Sequence, residues 1–291
     1  QGVERRSIPL TGELMAQCAL TLATGGKPMV KAAYSSGKPA YGVGAGNSTM
    51  IIDETANIEE AARNTRLSKT SDFGSGCSAD GNLIIQTSIF DKLVAQLQKE
   101  GGYLATPEQK ESLRRAMWDG ERHRTVETVA IAPQALAKIA GFEIPADSKF
   151  IMVHGDGIGR EHLFSGEKLT TLLALYRYES FDQALGMMRG IYEVGGKGHS
   201  CGIYSFDPDH IDRLAMAAPV SRIMVRQPQS KANAGAFNNG MPMTSSLGCG
   251  TWGGNIISEN VHLKHYMNTT WVSVPIKEDK PSDEELFGDF Y

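Results

Sequence analysis

Residues 72–82 read Asp72-Phe73-Gly74-Ser75-Gly76-Cys77-Ser78-Ala79-Asp80-Gly81-Asn82, and this loop of small residues joins a helical pattern to a buried apolar run. The helical pattern covers 58–69, and Leu83-Ile84-Ile85 reads as a buried strand. Helix, loop and buried strand in this order are typical of an α/β fold. Because glycines flank Cys77, a reactant could lie against the backbone, where a thiolate would attack a carbonyl carbon. The ordinary alternative is a cysteine packed as a small residue in a turn.

The same alternation continues along the chain and predicts a mostly parallel sheet. Strands are predicted at 20–24, 38–43, 48–52, 83–85, 150–153, 172–176, 203–206 and 222–225. Helices are predicted at 12–18, 28–34, 58–69, 89–99, 107–117, 133–140, 181–192 and 210–217. Two parallel strands cannot form a stable sheet alone. We therefore expect that a preceding segment, or another chain, completes the sheet of the first two strands.

The composition restricts the classes of partner. The 291 residues are 41% hydrophobic and 21% charged, with a formal net charge of −4, which is typical of a globular protein of about two domains. No basic run or membrane-length apolar run stands out, so neither nucleic acid nor membrane is expected. The scattered Cys18, Cys77, Cys201 and Cys249 suggest no disulfide framework, so we expect a reduced, cytoplasmic setting. No metal is expected, because no CxxC occurs and His199-Ser200-Cys201 has no matching second pair.

Two glycine-rich turns follow the first two predicted strands. Thr24-Gly25-Gly26 precedes Pro28, and a strand, a glycine turn and a helix start aim free N–H groups at an anion such as a pyrophosphate. Many turns of this kind carry glycine for geometry only. Gly42-Val43-Gly44-Ala45-Gly46-Asn47 is not a dinucleotide fingerprint, because the residues after it look extended rather than helical. A crossing between two domains fits that turn better.

Other polar segments have both a functional and an ordinary interpretation. Glu167 lies beside a strand entrance, where acids are usually solvated, and Arg122-His123-Arg124 is expected on the solvated surface. His199 lies among glycines and is either a base or a histidine satisfied by a backbone carbonyl. Residues 227–254 form a long irregular stretch, which is more often functional than accidental. The β-prone segment 268–276 is expected to pair with a sheet edge elsewhere, for example in another subunit.

These motifs together resemble the CoA-acylating aldehyde dehydrogenases over nearly the whole chain. The matching segments are Ala23-Thr24-Gly25-Gly26, Ser35-Ser36-Gly37-Lys38-Pro39-Ala40, the 42–47 turn, the Cys77 loop, Ser165-Gly166-Glu167-Lys168-Leu169, Gly198-His199-Ser200, Leu247-Gly248-Cys249-Gly250-Thr251-Trp252-Gly253-Gly254-Asn255 and Ile257-Ser258-Glu259-Asn260. Each segment is weak alone, but their order and spacing match. The sulfoacetaldehyde dehydrogenase branch is the most similar, down to Glu285-Leu286-Phe287-Gly288.

The resemblance implies an aldehyde dehydrogenase fold in three parts. Residues 1–47 would be the C-terminal remnant of a Rossmann-like NAD(P)-binding domain, 48–260 a parallel-sheet catalytic domain, and 261–291 an oligomerisation arm and tail. The implied protein is a cytoplasmic homodimer or homotetramer that takes a small aldehyde and CoA.

The resemblance also assigns roles to individual residues. Cys77 matches the nucleophile, and Thr24-Gly25-Gly26 matches the turn beside the cofactor pyrophosphate. Glu167 matches the acid that holds the nicotinamide ribose hydroxyls of NAD or NADP. Cys77 would attack the aldehyde, the thiohemiacetal would give hydride to NAD(P)+, and the thioester would pass to the thiol of CoA. The Cys77 N–H is an implied oxyanion donor, and His199 matches a family histidine with a role in deacylation.

The glycine-rich turn explains why CoA rather than water would accept the acyl group. Hydrolytic aldehyde dehydrogenases carry a glutamate general base in the turn that corresponds to residues 42–46. Here those positions are Gly, Val, Gly, Ala and Gly. No carboxylate of this turn can activate water, so the thioester is expected to persist until CoA arrives.

Departures from the family pattern leave alternatives open. The upstream half of the cofactor domain, with its asparagine oxyanion donor, is not in this chain, which favours an inactive fragment kept as an assembly module. An acyl-phosphate reductase of the same superfamily, which uses the cysteine without CoA, is a further alternative. The unusual Phe73-Gly74-Ser75-Gly76 leaves the aldehyde open, and Arg226 and Lys231 could bind a sulfonate or simply lie on the surface. Selective alkylation of Cys77 near neutral pH would indicate a lowered thiol pKa, whereas labelling no faster than at Cys18 would favour the inert module.

Overall fold

The computed structural model describes residues 7–290, and helices and strands alternate along most of this range. Its strands are β1 Thr21–Thr24, β2 Ala40–Val43, β3 Thr49–Ile52, β4 Asn82–Gln86, β5 Gly102–Leu104, β6 Phe150–His154, β7 Leu172–Tyr178, β8 Cys201–Tyr204 and β9 Ile223–Val225. Its helices are α1 Ile8–Gln17, α2 Lys27–Tyr34, α3 Ile58–Lys69, α4 Thr87–Lys99, α5 Pro107–Met117, α6 Pro133–Ile139, α7 Phe181–Val194, α8 Pro208–Ala217, α9 Gln229–Ala232 and α10 Asp283–Phe287.

Seven of the strands form one sheet in the order β5-β6-β7-β4-β3-β8-β9, and every neighbouring pair is parallel. At its centre Ile51 lies between Ile84 of β4 and Ile203 of β8. The predicted mostly parallel α/β fold is therefore confirmed. Parallel strands need crossover connections, and the helices between them supply these crossovers.

Both faces of the large sheet are buried, because side chains of successive strand residues point to opposite faces and each face is covered by helices. Ile51 and Ile84 share one apolar cluster with residues of α5, α6, α7 and α8. Their chain neighbours Met50 and Leu83 belong to a second cluster with residues of α3 and α4. Burial on both faces explains why the central strands read as continuous apolar runs rather than alternating ones.

β1 and β2 form a separate two-stranded parallel sheet, in which Leu22 pairs with Tyr41. A small cluster beneath this sheet contains Met15, Ala23, Ala33 and Ala40. No ladder joins this pair to the large sheet within residues 7–290. The division of the chain near residue 47 stays a prediction.

Gly42 at the middle of β2 is required by helix packing. A Cβ at this position would lie 2.5 Å from Val30 Cγ1 and 2.6 Å from the Tyr34 hydroxyl. The Tyr34 hydroxyl also accepts a hydrogen bond from the Gly42 N–H at 3.1 Å. The first glycine of the 42–47 turn therefore lets α2 lie directly on β2.

The sequence predicted the element types well and missed short or irregular ones. β5 was not predicted, because three residues are too few for a periodic signal. The 227–254 stretch contains only α9 and the single turn Thr251–Gly253. Residues 268–276 form neither helix nor strand, so their predicted pairing with another subunit stays a prediction. Between Ser7 and Phe290, no helix combines the length and apolar character that a bilayer span requires.

Candidate active site

The polar residues of the candidate site lie at the amino ends of the central strands. Asn47 and Ser48 precede β3, Asn82 begins β4, and His199 and Ser200 precede β8. Because β4, β3 and β8 are parallel neighbours, their amino ends share one sheet edge. Ligands of open α/β sheets usually bind at the opposite, carboxyl edge. The general rule for open α/β sheets therefore does not predict a site at the amino ends of these strands.

A strained turn carries the chain into the Cys77 loop. Asp72 (φ 46°), Phe73 (φ 52°) and Gly74 (φ 69°) are successive left-handed residues, a conformation that costs about 1–2 kcal/mol for a residue with a side chain. Gly74 must be glycine for a second reason, since a Cβ there would lie 2.5 Å from the Thr170 carbonyl oxygen. Strain of this kind is retained where the surrounding packing fixes the turn.

Gly46 brings the Cys77 loop against the start of β3. A Cβ at residue 46 would lie 1.8 Å from the carbonyl oxygen of Cys77 and 3.0 Å from its Cα. The last glycine of the 42–47 turn therefore allows the backbone of the loop to touch this turn. Its role is the close approach of two backbones, not phosphate binding.

The Cys77 thiol faces the imidazole of His199. Cys77 Sγ and His199 Nε2 are 2.9 Å apart, and His199 is fully buried. His199 Nδ1 lies 2.8 Å from Ser200 Oγ, which lies 3.1 Å from Ser48 Oγ. Ser48 Oγ in turn donates to the Cys77 carbonyl oxygen at 3.2 Å. The structure thus brings Cys77 and His199 together, and two serines close a ring of contacts that the sequence did not suggest.

Burial determines the protonation states of Cys77 and His199. Burial, and to a smaller extent the charges of Glu167 and Cys249, raise the pKa of Cys77 to about 12, against the lowering effects of the Cys77 N–H and of Arg222. Burial, with the charge of Arg222, lowers the pKa of His199 to about 3. The structure therefore does not lower the pKa of Cys77. At neutral pH the pair is a thiol beside a neutral imidazole, because burial disfavours both charged forms.

Arg222 ties the His199 turn to the 247–255 loop. Its Nη2 donates to the carbonyl oxygens of His199 at 3.0 Å and of Gly248 at 2.8 Å, and the side chain is buried. The Nε atom has no hydrogen-bond partner. Sequence reasoning missed Arg222, because an arginine at the start of a strand carries no signal of what it contacts across the fold.

Glu167 reaches the same turn from the segment before β7. Its Oε1 accepts a hydrogen bond from the Gly46 N–H at 3.1 Å. Burial raises the pKa of Glu167 to about 7, although the Gly46 N–H and Lys168 act in the opposite direction. The ordinary interpretation of a solvated acid is therefore wrong. The 42–46 turn has no carboxylate of its own, but Glu167 brings one to it.

Two buried lysines lie behind Glu167 and Cys77. Lys168 Nζ donates to Asn82 Oδ1 at 3.1 Å and to the Gly166 carbonyl oxygen at 2.8 Å. Lys69 is only 1% exposed, and burial lowers its pKa to about 7. Both lysines line a cavity of about 10 Å³, the size of one water, together with Cys77 and Glu167.

Arg124 belongs to the same buried region, against the expectation for the 122–124 segment. Its guanidinium donates to the Lys168 carbonyl oxygen at 2.8 Å and to Thr128 Oγ1 at 2.8 Å. The expectation of a solvated surface arginine is wrong for this residue. Arg122 and His123 are exposed, as expected.

A separate cleft of about 630 Å³ lies between α2 and the 251–255 turn. Its charged lining consists of Lys27, Lys31, Arg160, Lys197 and Glu193. The glycine turn Thr24-Gly25-Gly26 ends just before the first of these residues, and Gly26 caps α2. The structure therefore leaves Thr24-Gly25-Gly26 on the small sheet, outside the cluster of Cys77, His199 and Glu167.

The two candidates for a sulfonate are not in the Cys77 cluster. Arg226 follows β9 and its Nη1 donates to the Ser205 carbonyl oxygen at 2.6 Å, at the carboxyl end of β8. His199 precedes β8, and four residues of strand separate the two ends by about 13 Å. Lys231 is exposed on α9. The suggestion that Arg226 binds the tail of a substrate on Cys77 is therefore wrong.

The chain is similar in sequence to aldehyde dehydrogenases. The aldehyde dehydrogenase family model matches residues 21–155. A sulfoacetaldehyde dehydrogenase from Acholeplasma sp is 43% identical over 294 residues and is matched by 100% of this chain. The chain therefore contains an aldehyde dehydrogenase domain. It spans 60% of the length of that relative.

Solved structures of aldehyde dehydrogenases share the fold of this chain. An acetylating aldehyde dehydrogenase from Geobacillus thermoglucosidasius superposes with a TM-score of 0.90 at 37% identity, over 95% of this chain and 61% of its own. A propionaldehyde dehydrogenase from Rhodopseudomonas palustris, solved with bound CoA and an acylated cysteine, gives a TM-score of 0.77 at 28% identity, over 87% of this chain and 57% of its own. The predicted aldehyde dehydrogenase fold is confirmed.

Proposed function

We propose that this chain carries the acyl-transfer site of a CoA-acylating, NAD(P)-dependent aldehyde dehydrogenase, with Cys77 as nucleophile and His199 as its base. The observation that supports the proposal most is the 2.9 Å contact between Cys77 Sγ and His199 Nε2. A nucleophile and a base within hydrogen-bond reach are the minimum that covalent catalysis on a carbonyl needs. The acylated cysteine of the Rhodopseudomonas relative supports the same intermediate.

The proposed chemistry follows from these protonation states. Cys77 Sγ bonds to the carbonyl carbon of the aldehyde while its proton passes to His199 Nε2, so that a thiolate need not form beforehand. NAD(P)+ would accept the hydride, which leaves an acyl thioester on Cys77. The thiol of CoA then attacks this thioester, the bond to Cys77 Sγ breaks, and Cys77 Sγ takes the proton that the CoA thiol loses. The proton that His199 accepted in the first step is released to solvent, so one proton is formed for each NAD(P)H.

The chain's own residues fit an anionic cofactor and an anionic co-substrate. Lys27, Lys31, Arg160 and Lys197 line the 630 Å³ cleft against the single acid Glu193, which pairs with Lys197. Such an excess of positive charge attracts phosphate groups, which both CoA and NAD(P) carry. Glu167 would hold the ribose hydroxyls of the nicotinamide half, as the family resemblance implies.

We further propose that the aldehyde is sulfoacetaldehyde. Relatives from Acholeplasma sp and Bilophila wadsworthia, at 43% and 38% identity, carry the name sulfoacetaldehyde dehydrogenase. Oxidation of sulfoacetaldehyde and acetaldehyde, each with NAD(P)+ and CoA, tests this choice. A kcat/KM for acetaldehyde equal to or above that for sulfoacetaldehyde would remove it.

Acyl transfer from an acyl-CoA tests the proposed site directly. Incubation of the chain with acetyl-CoA should place an acetyl thioester on Cys77, seen as a hydroxylamine-sensitive adduct on that peptide by mass spectrometry. Cys77→Ser should abolish this adduct, and Cys249→Ser, which removes a buried thiol, should retain it. Acetylation of Cys18 in preference to Cys77, or no adduct at all, would refute the proposal and favour the assembly module.

The requirement for CoA separates this function from acyl-phosphate reduction. With aldehyde and NAD(P)+, the proposed enzyme forms NAD(P)H only when CoA is added. Inorganic phosphate in place of CoA should give no turnover. Turnover with phosphate and none with CoA would identify the acyl-phosphate reductase instead.

We also propose that residues 268–276 act as an arm between subunits of a homodimer or homotetramer. Trp271 is 91% exposed and Ile276 is 89% exposed, and Val272 and Val274 are exposed beside them. Four exposed apolar side chains in an extended segment favour addition to a sheet edge of a second copy. A chain that ends at Met267 should be monomeric by light scattering. An unchanged oligomeric state would refute the role of the arm.

A further inference from the structure

The directions of the hydrogen bonds around His199 follow from the Cys77 carbonyl oxygen at one end of the chain of contacts. The Cys77 carbonyl oxygen can only accept, so the Ser48 hydroxyl hydrogen points to it at 3.2 Å. Ser48 has no second hydrogen to give. The 3.1 Å contact between Ser48 Oγ and Ser200 Oγ is therefore donated by Ser200. The single hydrogen of each hydroxyl is thus assigned.

The same reasoning then fixes the imidazole. Because the Ser200 hydrogen is used on Ser48, Ser200 Oγ must accept in its 2.8 Å contact with His199 Nδ1. His199 Nδ1 therefore carries the ring hydrogen, and Nε2 presents its lone pair to Cys77 Sγ at 2.9 Å. We propose that Ser48 and Ser200 are positioning residues that hold His199 in the Nδ1–H tautomer, so that Nε2 accepts the Cys77 proton.

The opposite tautomer loses a buried contact. With the ring hydrogen on Nε2, Nδ1 would accept the hydroxyl hydrogen of Ser200. The single hydroxyl hydrogen of Ser48 could then be donated to Ser200 Oγ or to the Cys77 carbonyl oxygen, but not to both. Ser48 is 1% exposed and Ser200 is fully buried, so water does not reach either hydroxyl. A neutral buried hydrogen bond shifts an equilibrium by roughly threefold to tenfold. The two serines bias the ring by about this factor.

The choice of tautomer matters because neither partner is charged at neutral pH. Burial raises the pKa of Cys77 and lowers that of His199, so no thiolate–imidazolium pair exists before the aldehyde arrives. The proton must leave Cys77 during attack, and only an unprotonated Nε2 can receive it. This inference rests on the proposed role of Cys77 as nucleophile.

Nitrogen-15 NMR of the histidine-labelled chain tests the proposal, with His199→Gln used to assign the ring signals. We expect a protonated Nδ1 and an unprotonated Nε2 in the unmodified chain. Ser48→Ala should move the tautomer ratio toward Nε2–H by roughly threefold to tenfold, although Ser48 does not contact His199, and Ser48→Thr should restore it. Ser205→Ala, a buried serine at the other end of β8, should leave the ratio unchanged.

Several outcomes would overturn the proposal. A protonated Nε2 in the unmodified chain contradicts the assignment, and an unchanged ratio in a folded Ser48→Ala protein contradicts the role of Ser48. If Ser48→Ala does not fold, Ser200→Ala provides the same test from the neighbouring contact. The NMR result is independent of acylation. Failure of Cys77 to accept an acetyl group therefore refutes the proposed function, whereas an unmoved tautomer ratio refutes only the inference.

Discussion

Replacing Gly46 with alanine should displace the Cys77 loop and nearly abolish acyl transfer. The added Cβ would lie 1.8 Å from the Cys77 carbonyl oxygen. A carbon and an oxygen that are not bonded need about 3.3 Å, so the two backbones must separate by about 1.5 Å. Neither is the flexible end of a side chain, so the shift moves Cys77 Sγ relative to His199 Nε2.

The structure gives the expected size of this effect. A misplacement of 1 Å at a reacting group costs about 100-fold in rate, so the rate of Cys77 acetylation by acetyl-CoA should fall by at least about 100-fold in Gly46→Ala. Overpacking of this kind also lowers the free energy of unfolding by about 1–3 kcal/mol. Quenched-flow or manual time courses analysed by mass spectrometry measure the rate, and thermal melts measure the stability.

Gly76→Ala is the matched control, because it adds the same methyl group directly before Cys77. A Cβ at residue 76 meets no atom within 4 Å. The acetylation rate of this variant should stay within about twofold of that of the unmodified chain. Gly46→Ala protein that acetylates Cys77 at the original rate would refute the claim that contact of Gly46 with the loop sets the position of the thiol.

Three further predictions concern the charges around Cys77. Glu167→Gln should speed alkylation of Cys77 by iodoacetamide at about pH 8.5, because the carboxylate raises the thiol pKa. The gain should vanish near pH 5, where Glu167 itself is protonated, and equal rates for the variant and the unmodified chain at pH 8.5 would contradict this prediction. Arg222→Met should slow the same alkylation, because the guanidinium lowers the pKa of Cys77, whereas Arg226→Met, which removes an arginine from the opposite end of β9, should leave the rate unchanged. Equal effects of the two variants would contradict the assignment. Lys69→Met should raise the melting temperature below pH 7, because the folded protein binds the Lys69 proton less tightly than the unfolded chain does. In thermal melts, the stability of the unmodified chain should rise with pH from about 7 toward 10, and an equal rise in Lys69→Met would contradict this prediction.

Much of the site could be predicted because it lies in local motifs. Cys77 stands in a loop of small residues, His199 stands between glycines, and the order of these motifs matches one family. The glycines of the 42–47 turn were also visible, but their purpose was not. Gly42 accommodates the neighbouring helix α2, and Gly46 accommodates the Cys77 loop, which lies far along the chain from it.

Other residues were interpreted wrongly because their surroundings are set by distant segments. Arg124 looked like a surface charge, yet it contacts the Lys168 carbonyl oxygen. The ordinary alternative for Glu167, a solvated acid, was also wrong, because Glu167 contacts Gly46. Arg226 looked like a ligand for an anionic tail, yet it follows a strand whose carboxyl end faces away from Cys77. A single sequence does not show which strand ends share an edge.

The sequence by itself determined the parallel α/β fold and predicted Cys77 as the nucleophile, because apolar periodicity and glycine placement are local properties of the chain. Only the tertiary structure decided the chemical state of that nucleophile. The protonation of Cys77, the tautomer of His199 and the contacts of Arg222 depend on burial and on the meeting of β3, β4 and β8 at their amino ends. Desolvation and hydrogen-bond direction are properties of the assembled fold, and no short segment of the chain contains them.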